Sequence, residues 1–427
     1  MKRAIVLSGG GSRGAYEQGA WRALRELGIE YQMITGTSIG SINAALMAQG
    51  DFDLAEHLWD TITLDQVMAD GINLYPDIEK YFNKGPRVRS FLKSYAHHKG
   101  ADISPLVELI KRTIDEEKVR ASDIDMGLVT VKFPSFTPVE RMLDEIPHGQ
   151  LHDHLLASAA VFPAFPIHQI DDEGYIDGGY YDAMPINLAL RNGAEEIVAI
   201  DLYEKMPHKA MMGRPWLRRI GPSHSLGSIL LFERPMLNRN RRLGYLDTMK
   251  SYRKMLGTRY AFDRASVEKH TARAREFALM VARAEAEQSY KNSFAQTIVR
   301  SPMFEALKRL LPDERIATEY DDMLIGAEVL ADHIDLDPTR CYDLDEFNEL
   351  VFDQLPVEDV KKNFDAMSEN EVGMLVNALL IADKKEVPLL MMYLYRAGML
   401  RGTLLRALSI KAEDLLGAFY LHMFLPE

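Results

Sequence analysis

The sequence has one cysteine, no long hydrophobic run and no excess of positive charge. Cys341 has no second cysteine to pair with, which excludes an internal disulfide and a cysteine-based zinc or redox cluster. The longest apolar stretches, such as residues 388–395, are far shorter than the ~20 residues that a membrane-spanning helix needs. The formal net charge of −13 disfavours DNA and RNA as partners, because phosphate neutralisation supplies most of the affinity for them.

The composition otherwise predicts a folded globular protein. The chain has 427 residues, of which 47% are hydrophobic and 26% charged, so we expect two domains or one large domain with an appendage. Near the start, the apolar stretch at residues 4–8 is too short for the apolar region of a signal peptide. Together with the single cysteine, this leads us to expect a cytoplasmic protein.

The first part of the chain alternates between strand-like and helix-like patterns. A buried strand is predicted at residues 4–8 and a helix at residues 15–27, and the pair is repeated at residues 32–35 and 39–47. Later strands are predicted at residues 126–131, 175–176 and 197–201. This order predicts an α/β fold with a doubly wound, mostly parallel sheet flanked by helices.

The pattern changes after about residue 262. Helical periodicity then dominates, with helices predicted at residues 266–290, 303–311 and 345–354. We therefore predict an α/β domain over residues 1–262 and an all-helical domain of unknown role over residues 263–427.

The string GTSIG at residues 36–40 places Ser38 between two glycines at a predicted strand-to-helix joint. This pattern is typical of a nucleophile elbow, where glycines give steric clearance and the sharp turn presents the serine oxygen to substrate. The alternative is a serine in an ordinary glycine turn. The placement between a strand and a helix favours the elbow.

A second glycine motif, GGGSRG at residues 9–14, directly follows the first strand. It matches the G-x-G-x-x-G dinucleotide fingerprint, but that fingerprint also needs an acidic residue at the end of the second strand, which this sequence lacks. We favour an oxyanion cradle made by the N–H groups of Gly10 and Gly11, with the Arg13 cation nearby. A purely structural glycine turn is the third interpretation.

A serine nucleophile needs a base. His333 and His422 lie on amphipathic helical stretches, which favours core or surface roles for both. Asp177 instead follows a short apolar strand and precedes Gly178 and Gly179, which allow the backbone to bend. We expect this carboxylate at the carboxyl edge of the sheet, where parallel sheets place their sites.

These motifs resemble those of the patatin-like phospholipase family. The resemblance rests on blocks that stand in the family's order: GGGSRG at 9–14, GTSIGSINA at 36–44, ASAAVFPAFPI at 157–167, DGG at 177–179 and DAMPI at 182–186. It covers roughly residues 1–205 and extends at most to about residue 260. Beyond residue 263 no resemblance is found.

The resemblance implies a lipid acyl hydrolase, of the phospholipase A or lysophospholipase type, in which Ser38 and Asp177 form a catalytic dyad that acts through an acyl-serine intermediate. It implies an oxyanion hole that is formed by Gly9, Gly10, Gly11, Arg13 and Gly14. It also implies a set of glycines that support the nucleophile elbow and the aspartate, namely Gly36, Gly40, Gly178 and Gly179. The expected substrate is a phospholipid or lysophospholipid. We expect no cofactor and no calcium or other metal, since no clustered His, Asp or Glu spacing supports one.

Two other functions stay open at this point. One is acyl transfer to an acceptor other than water. The other is a regulatory or binding protein on the same fold that is activated by a partner at the helical domain. The presence of Gly10, Ser38 and Asp177 together favours the enzyme.

Residues 205–259 form a basic region, with thirteen Lys or Arg against only Glu233 and Asp247. One interpretation is peripheral contact with anionic lipid at the inner face of the membrane, at ~1 kcal/mol per basic residue near the surface. The other, which we favour, is a solvated face that pairs with the acidic C-terminal domain.

Overall fold

The computed structural model of the chain describes residues 1–69, 100–203, 208–211, 213–288, 290–292, 297–299, 318–366, 379, 382–400 and 411–426. It divides into two compact units, Met1–Thr248 and Met249–Glu427. The domain boundary after residue 262 stays a prediction from the sequence. The helix predicted at residues 303–311 lies outside the described residues.

An eight-stranded sheet organises the first unit. Its strands are β1 (Arg3–Leu7), β2 (Met33–Thr37), β3 (Asp125–Phe133), β4 (Thr137–Met142), β5 (His168–Ile170), β6 (Glu173–Asp177), β7 (Glu196–Ile200) and β8 (Leu217–Ile220). The strands β3, β2, β1, β7 and β8 are neighbours in that order and run parallel. The mixed α/β sheet predicted from the sequence is therefore confirmed, and each predicted strand lies within two residues of its observed bounds at both ends.

The strand that carries Asp177 differs from a simple parallel arrangement. β6 runs antiparallel to β3 and pairs Asp177 with Thr130, while β2 runs parallel to β3 and pairs Thr37 with Val129. Because β4 occupies the other edge of β3 along the same residues, β2 and β6 must share one edge. Their carboxyl ends therefore approach each other from opposite directions and meet at two consecutive residues of β3.

The centre of the sheet is buried on both faces. Four of the five residues of β1 and all five of β2 are buried, as expected for inner strands that are covered by helices on each side. The helices of this unit are α1 (Ala15–Glu26), α2 (Ile39–Gln49), α3 (Phe52–Thr61), Ser104–Thr113, Glu116–Arg120, Leu151–Ser158, Ile186–Arg191 and Arg234–Ser251, the last of which runs across the division at residue 248. The two helices predicted after β1 and β2 are confirmed.

Two glycines allow α1 and the helix Arg234–Ser251 to cross with their backbones in contact. A Cβ on Gly19 would lie 1.8 Å from the carbonyl oxygen of Arg241, and a Cβ on Gly244 would lie 2.0 Å from that of Tyr16. The crossing is tied by a hydrogen bond of 3.0 Å from the Tyr16 hydroxyl to Asp247. Glycine is therefore required by close approach at these positions.

The second unit is mainly helical. Its helices are Arg264–Glu268, Thr271–Gln288, Asp321–His333, Leu344–Phe352, Val357–Asp365, Glu386–Arg396 and Ala412–Phe424, and its short strands are β9 (Met255–Leu256), β10 (Ala261–Asp263), β11 (Tyr290–Asn292), β12 (Thr297–Val299) and β13 (Cys341–Tyr342). The helical C-terminal region is thus confirmed, with short strands added to it. The long helix predicted at residues 266–290 is divided into two around Lys269.

His333 and His422 both lie in this unit, where they contact side chains of neighbouring helices. His333 Nε2 lies 2.6 Å from a carboxylate oxygen of Asp414. The ring of His422 packs edge-on against Tyr395, and burial lowers its pKa. No described helix combines the length and hydrophobicity needed to cross a membrane.

Substituting alanine for Gly19 or Gly244 tests the helix crossing. At an open helical position the change from Gly to Ala stabilises by about 1 kcal/mol. Here we expect each variant to lower the free energy of unfolding by about 1–3 kcal/mol, because the added methyl overlaps backbone atoms of the facing helix. Urea denaturation measures the effect. Asn238→Ala, at an exposed position of the same helix, is the control and should change stability little; stabilisation by both glycine substitutions would contradict the crossing.

Candidate functional site

Ser38 lies at a sharp turn between β2 and α2. Its backbone has φ 55° and ψ −128°, a conformation that costs free energy for a non-glycine residue. A Cβ on Gly36 would lie 2.2 Å from the carbonyl oxygen of Gly40, and one on Gly40 would lie 2.7 Å from that of Leu7. The two glycines of GTSIG thus provide the clearance that the turn needs.

Ser158 supports the strained backbone of Ser38. The Ser38 N–H donates to the Ser158 hydroxyl at 3.0 Å, and that hydroxyl donates to the carbonyl of Val129 at 2.7 Å. Ser158 is fully buried at the end of the helix Leu151–Ser158. The sequence indicated this region only as part of the block ASAAVFPAFPI, without a role for Ser158.

Asp177 lies at the end of β6, beside Ser38. Its side chain is buried, lies near enough to the Ser38 side chain for the serine to lower its pKa, and accepts the N–H of Gly179 at 2.7 Å. Gly178 lets the chain turn against β3, since a Cβ there would lie 2.2 Å from the carbonyl oxygen of Val129. The structure thus brings together the serine and the carboxylate that the sequence singled out.

Burial is the largest influence on the Asp177 carboxyl group. It raises the pKa to about 6 from the ordinary 3.8, while the Ser38 side chain and the Gly179 N–H act in the opposite direction. The carboxylate is therefore a stronger base than an exposed aspartate, and it is still ionised at neutral pH.

The glycine loop after β1 lies against Ser38. A Cβ on Gly9 would be 3.2 Å from the Ser38 Cβ, and the Gly9 N–H is already used by the carbonyl of Ala183 at 2.8 Å. In the described part of the chain, no acceptor meets the N–H groups of Gly10 and Gly11, and both residues line the cavity beside Ser38. Of the five residues predicted for an oxyanion hole, these two have amides that are available.

Arg13 and Gly14 lie elsewhere in the same loop. The Arg13 Nε donates to the carbonyl of Gly227 at 2.8 Å, and its guanidinium lies 5.7 Å from the ring centre of Tyr203. Gly14 is the N-cap residue of α1, and a Cβ there would lie 2.5 Å from the Ile39 side chain. Their contacts indicate packing and loop support.

The segment 182–185, which follows DGG, ties the parts of the site together. The Thr37 hydroxyl donates to the carbonyl of Asp182 at 2.8 Å, the Gly9 N–H donates to Ala183, and the Thr35 hydroxyl donates to Pro185 at 3.1 Å. The ends of β1 and β2 are thus bonded to the chain just beyond Asp177. The block DAMPI indicated this segment, but the sequence did not indicate its bonds.

His208 was not singled out from the sequence. Its Nε2 lies 2.9 Å from a carboxylate oxygen of Asp182, which also accepts the N–H of Met184 at 3.0 Å. The hydrogen bond with Asp182 raises the pKa of His208. No local sequence pattern indicates that His208 belongs to the site, because only the tertiary structure brings it next to Asp182.

An apolar cavity opens beside Ser38, and its empty space, together with the part that is open to solvent, is about 950 Å³. The described residues that line it are Gly9, Gly10, Gly11, Ser38, Ile39, Ile42, Asn43, Leu58, Trp59, Ile62, Val67, Leu106, Leu109, Ile110, Thr113, Ala159, Val161, Phe165, Asp177, Gly179, Ala183, Tyr203, Ile229, Leu230 and Phe232. Asp177 is the only charged side chain among them. Such a lining suits a long apolar group with its reactive end at Ser38.

Comparison with known proteins finds a family match within the first unit. The family model described as patatin-like phospholipase matches residues 5–190. Lysophospholipase NTE1 of Candida glabrata is 26% identical over 207 residues, which are 46% of this chain and 10% of that protein. Patatin-like phospholipase domain-containing protein 6 of Homo sapiens is 25% identical over 201 residues, which are 47% of this chain and 13% of that protein. The chain therefore matches only about a tenth of the length of these relatives.

A solved structure is similar over a greater length. The crystal structure of VipD from Legionella pneumophila covers 99% of this chain and 90% of that chain, with a TM-score of 0.40 and 14% sequence identity. The residues matched by the family model include the elements that position Ser38 and Asp177, from β1 to the helix Ile186–Arg191. Residues 5–190 of this chain therefore match the model of a patatin-like phospholipase domain.

Proposed function

We propose that the protein is a lipid acyl hydrolase that cleaves phospholipids or lysophospholipids, with Ser38 as nucleophile and Asp177 as base. The observation that carries the proposal is a buried carboxylate and a strained serine that line the same apolar cavity, with the serine side chain close enough to lower the pKa of the carboxyl group. The family match and the relative named lysophospholipase support the lipid substrate. Phospholipase A and lysophospholipase activity both fit this site.

The reaction begins with attack of the Ser38 oxygen on the ester carbonyl carbon. The serine proton passes to Asp177, and the electron pair of the carbonyl double bond moves to the carbonyl oxygen. This oxygen accepts hydrogen bonds from the N–H groups of Gly10 and Gly11. When this intermediate collapses, the bond to the alcohol breaks and the alcohol leaves with the proton from Asp177. Water then attacks the acyl-serine in the same way, which releases the fatty acid and restores Ser38.

The raised pKa of Asp177 addresses the poor match between a carboxylate and a serine hydroxyl. A base is most effective when its pKa lies near the working pH, and a pKa of about 6 brings Asp177 closer to that range. Preorganised N–H donors also lower the activation free energy, by about 3 kcal/mol for each donor. Hydrolysis therefore needs no third residue such as His333 or His422.

The basic region is proposed as a peripheral contact with anionic lipid. Two of its residues already have partners within the first unit: Arg219 pairs with Asp201 at 2.9 Å, and Arg241 pairs with Glu56 and Asp60. These partners lie outside the acidic C-terminal region that the sequence analysis favoured, whereas Arg259 pairs with Asp332 inside it. Arg214 and Arg234 are exposed, and they are the positions at which we test lipid contact.

The dyad is tested by Ser38→Ala and Asp177→Asn. We expect each to lower kcat/KM for ester hydrolysis by a factor on the order of 10⁴ or more, because each removes a group that forms or breaks bonds in the reaction. Matched controls are Ser135→Ala and Asp172→Asn, at exposed turn positions of the same unit. Hydrolysis of mixed phospholipid and lysophospholipid vesicles, with product identification, is the measurement. Wild-type rates in either dyad variant, with melting temperature unchanged, would exclude the proposed dyad.

The pH dependence follows from the pKa of Asp177. The base must be ionised, so kcat/KM should rise with pH and reach half its maximum near pH 6, well above the ordinary aspartate value of 3.8. A pH–rate profile on a soluble ester measures this. A plateau that extends down to pH 4.5 would contradict a base with this raised pKa.

Lipid contact by the basic region is tested by vesicle sedimentation. Wild-type protein should bind better as the anionic lipid fraction rises, and Arg214→Glu combined with Arg234→Glu should weaken that binding by roughly thirtyfold or more, because each lost positive charge removes about 1 kcal/mol of attraction. Hydrolysis of a soluble ester should stay unchanged in this variant. Binding that is indifferent to anionic lipid would rule the contact out.

A further inference from the structure

We propose that residues 225–232 form the wall of the cavity that determines which length of substrate acyl chain the protein accepts, and that Ser12 and Arg13 position this wall. These residues lie beyond the part of the chain matched by the family model. The proposal rests on the proposed function for its substrate class. The family match ends at residue 190, so the wall is a feature of this chain outside the matched domain.

Three side chains of this segment line the cavity: Ile229, Leu230 and Phe232. Ile229 is buried, whereas Leu230 and Phe232 are half-buried. Leu231 is half-buried as well but does not line the cavity. Neighbouring positions of one segment therefore differ in whether they can contact a bound chain.

The segment is bonded to the glycine loop through its backbone. The Ser12 N–H donates to the carbonyl of Ile229 at 2.8 Å, and the Ser12 hydroxyl donates to that of Ser228 at 3.0 Å. The Arg13 Nε donates to the carbonyl of Gly227 at 2.8 Å. Three successive carbonyls of the wall are thus bonded to two residues of the motif GGGSRG.

Close backbone contact reinforces these bonds. A Cβ on Gly11 would lie 2.1 Å from the carbonyl oxygen of Ile229, and Gly11 has φ 56°, a conformation that favours glycine. The wall therefore touches the loop that carries the available amides of Gly10 and Gly11. Its distance from Ser38 is set by the same residues that shape the reactive end of the cavity.

Side chains of the helix Arg234–Ser251 also hold the segment through hydrogen bonds. The Arg239 side chain donates to the carbonyl of Ser225 at 2.8 Å, and the Asn240 side chain donates to that of Leu226 at 2.9 Å. All these bonds reach backbone carbonyls. The side chains at Leu230 and Phe232 can therefore be changed without removing any bond that holds the wall.

The chemistry of the wall selects an alkyl chain. Leucine, isoleucine and phenylalanine offer no hydrogen bond to a polar headgroup, whose burial against them would be costly. An alkyl chain gains free energy for each methylene that is buried, until it meets an obstruction. A larger side chain at Leu230 therefore moves the obstruction towards Ser38 and favours shorter chains.

The test compares Leu230→Trp with Leu231→Trp. For p-nitrophenyl butyrate, octanoate and palmitate, Leu230→Trp should lower the ratio of kcat/KM for palmitate over butyrate by about tenfold or more, the scale on which apolar pockets discriminate size. Leu231→Trp should keep the wild-type ratio. Phe232→Ala should raise the preference for palmitate, and it serves in place of Leu230→Trp if that variant fails to fold. An unchanged ratio in both Leu230→Trp and Phe232→Ala would overturn the proposal.

Binding without chemistry separates this proposal from the proposed function. In the Ser38→Ala background, the affinities for octanoic and palmitic acid are measured by calorimetry with and without Leu230→Trp. A selective loss of palmitic acid binding supports the wall even if the wild-type protein hydrolyses no ester. Equal loss of both acids, or no loss, would overturn the wall even if the wild-type protein is an active hydrolase.

Discussion

One edge of β3 receives two strands end to end, and the candidate site depends on that arrangement. β2 ends opposite Val129 and β6 ends opposite Thr130, so the residues that follow or close these strands, Ser38 and Asp177, are brought together by backbone pairing. About 140 positions of sequence separate them, yet two consecutive residues of one strand set their distance. Hydrogen bonds from Thr37 and Gly9 to the segment 182–185 then hold the strand ends in place.

Close approach of backbones explains the glycines of the motifs. A Cβ would collide with backbone carbonyl atoms of a neighbouring segment at Gly36, Gly40 and Gly178. The same holds for Gly11, where the obstacle is the carbonyl of Ile229. The glycines have different consequences for the site. Among the residues that the structure describes, no acceptor meets the amides of Gly10 and Gly11, whereas Gly9 uses its amide to bond Ala183 and Gly14 makes room for the packing of Ile39.

Burial of Asp177 connects stability with the proposed activity. A carboxyl group whose pKa is raised to about 6 binds its proton more tightly in the folded state than in the unfolded state, whose value is near 3.8. Folding is therefore most favoured by this group below pH 4, and that contribution is lost as the pH rises through 6. The ionised base needed for hydrolysis thus opposes the stability of the fold.

The sequence by itself determined the α/β order of the first unit, the helical character of the second, and the positions of Ser38, Asp177 and the glycine loop. It could do so because glycine spacing and apolar periodicity are local properties that backbone geometry requires. Only the tertiary structure decided that β6 runs antiparallel, that Ser158 supports Ser38, that His208 pairs with Asp182, and that Arg13 bonds to the carbonyl of Gly227. These contacts join residues from 26 to 214 positions apart, and no local pattern in the chain encodes which distant partner a side chain meets.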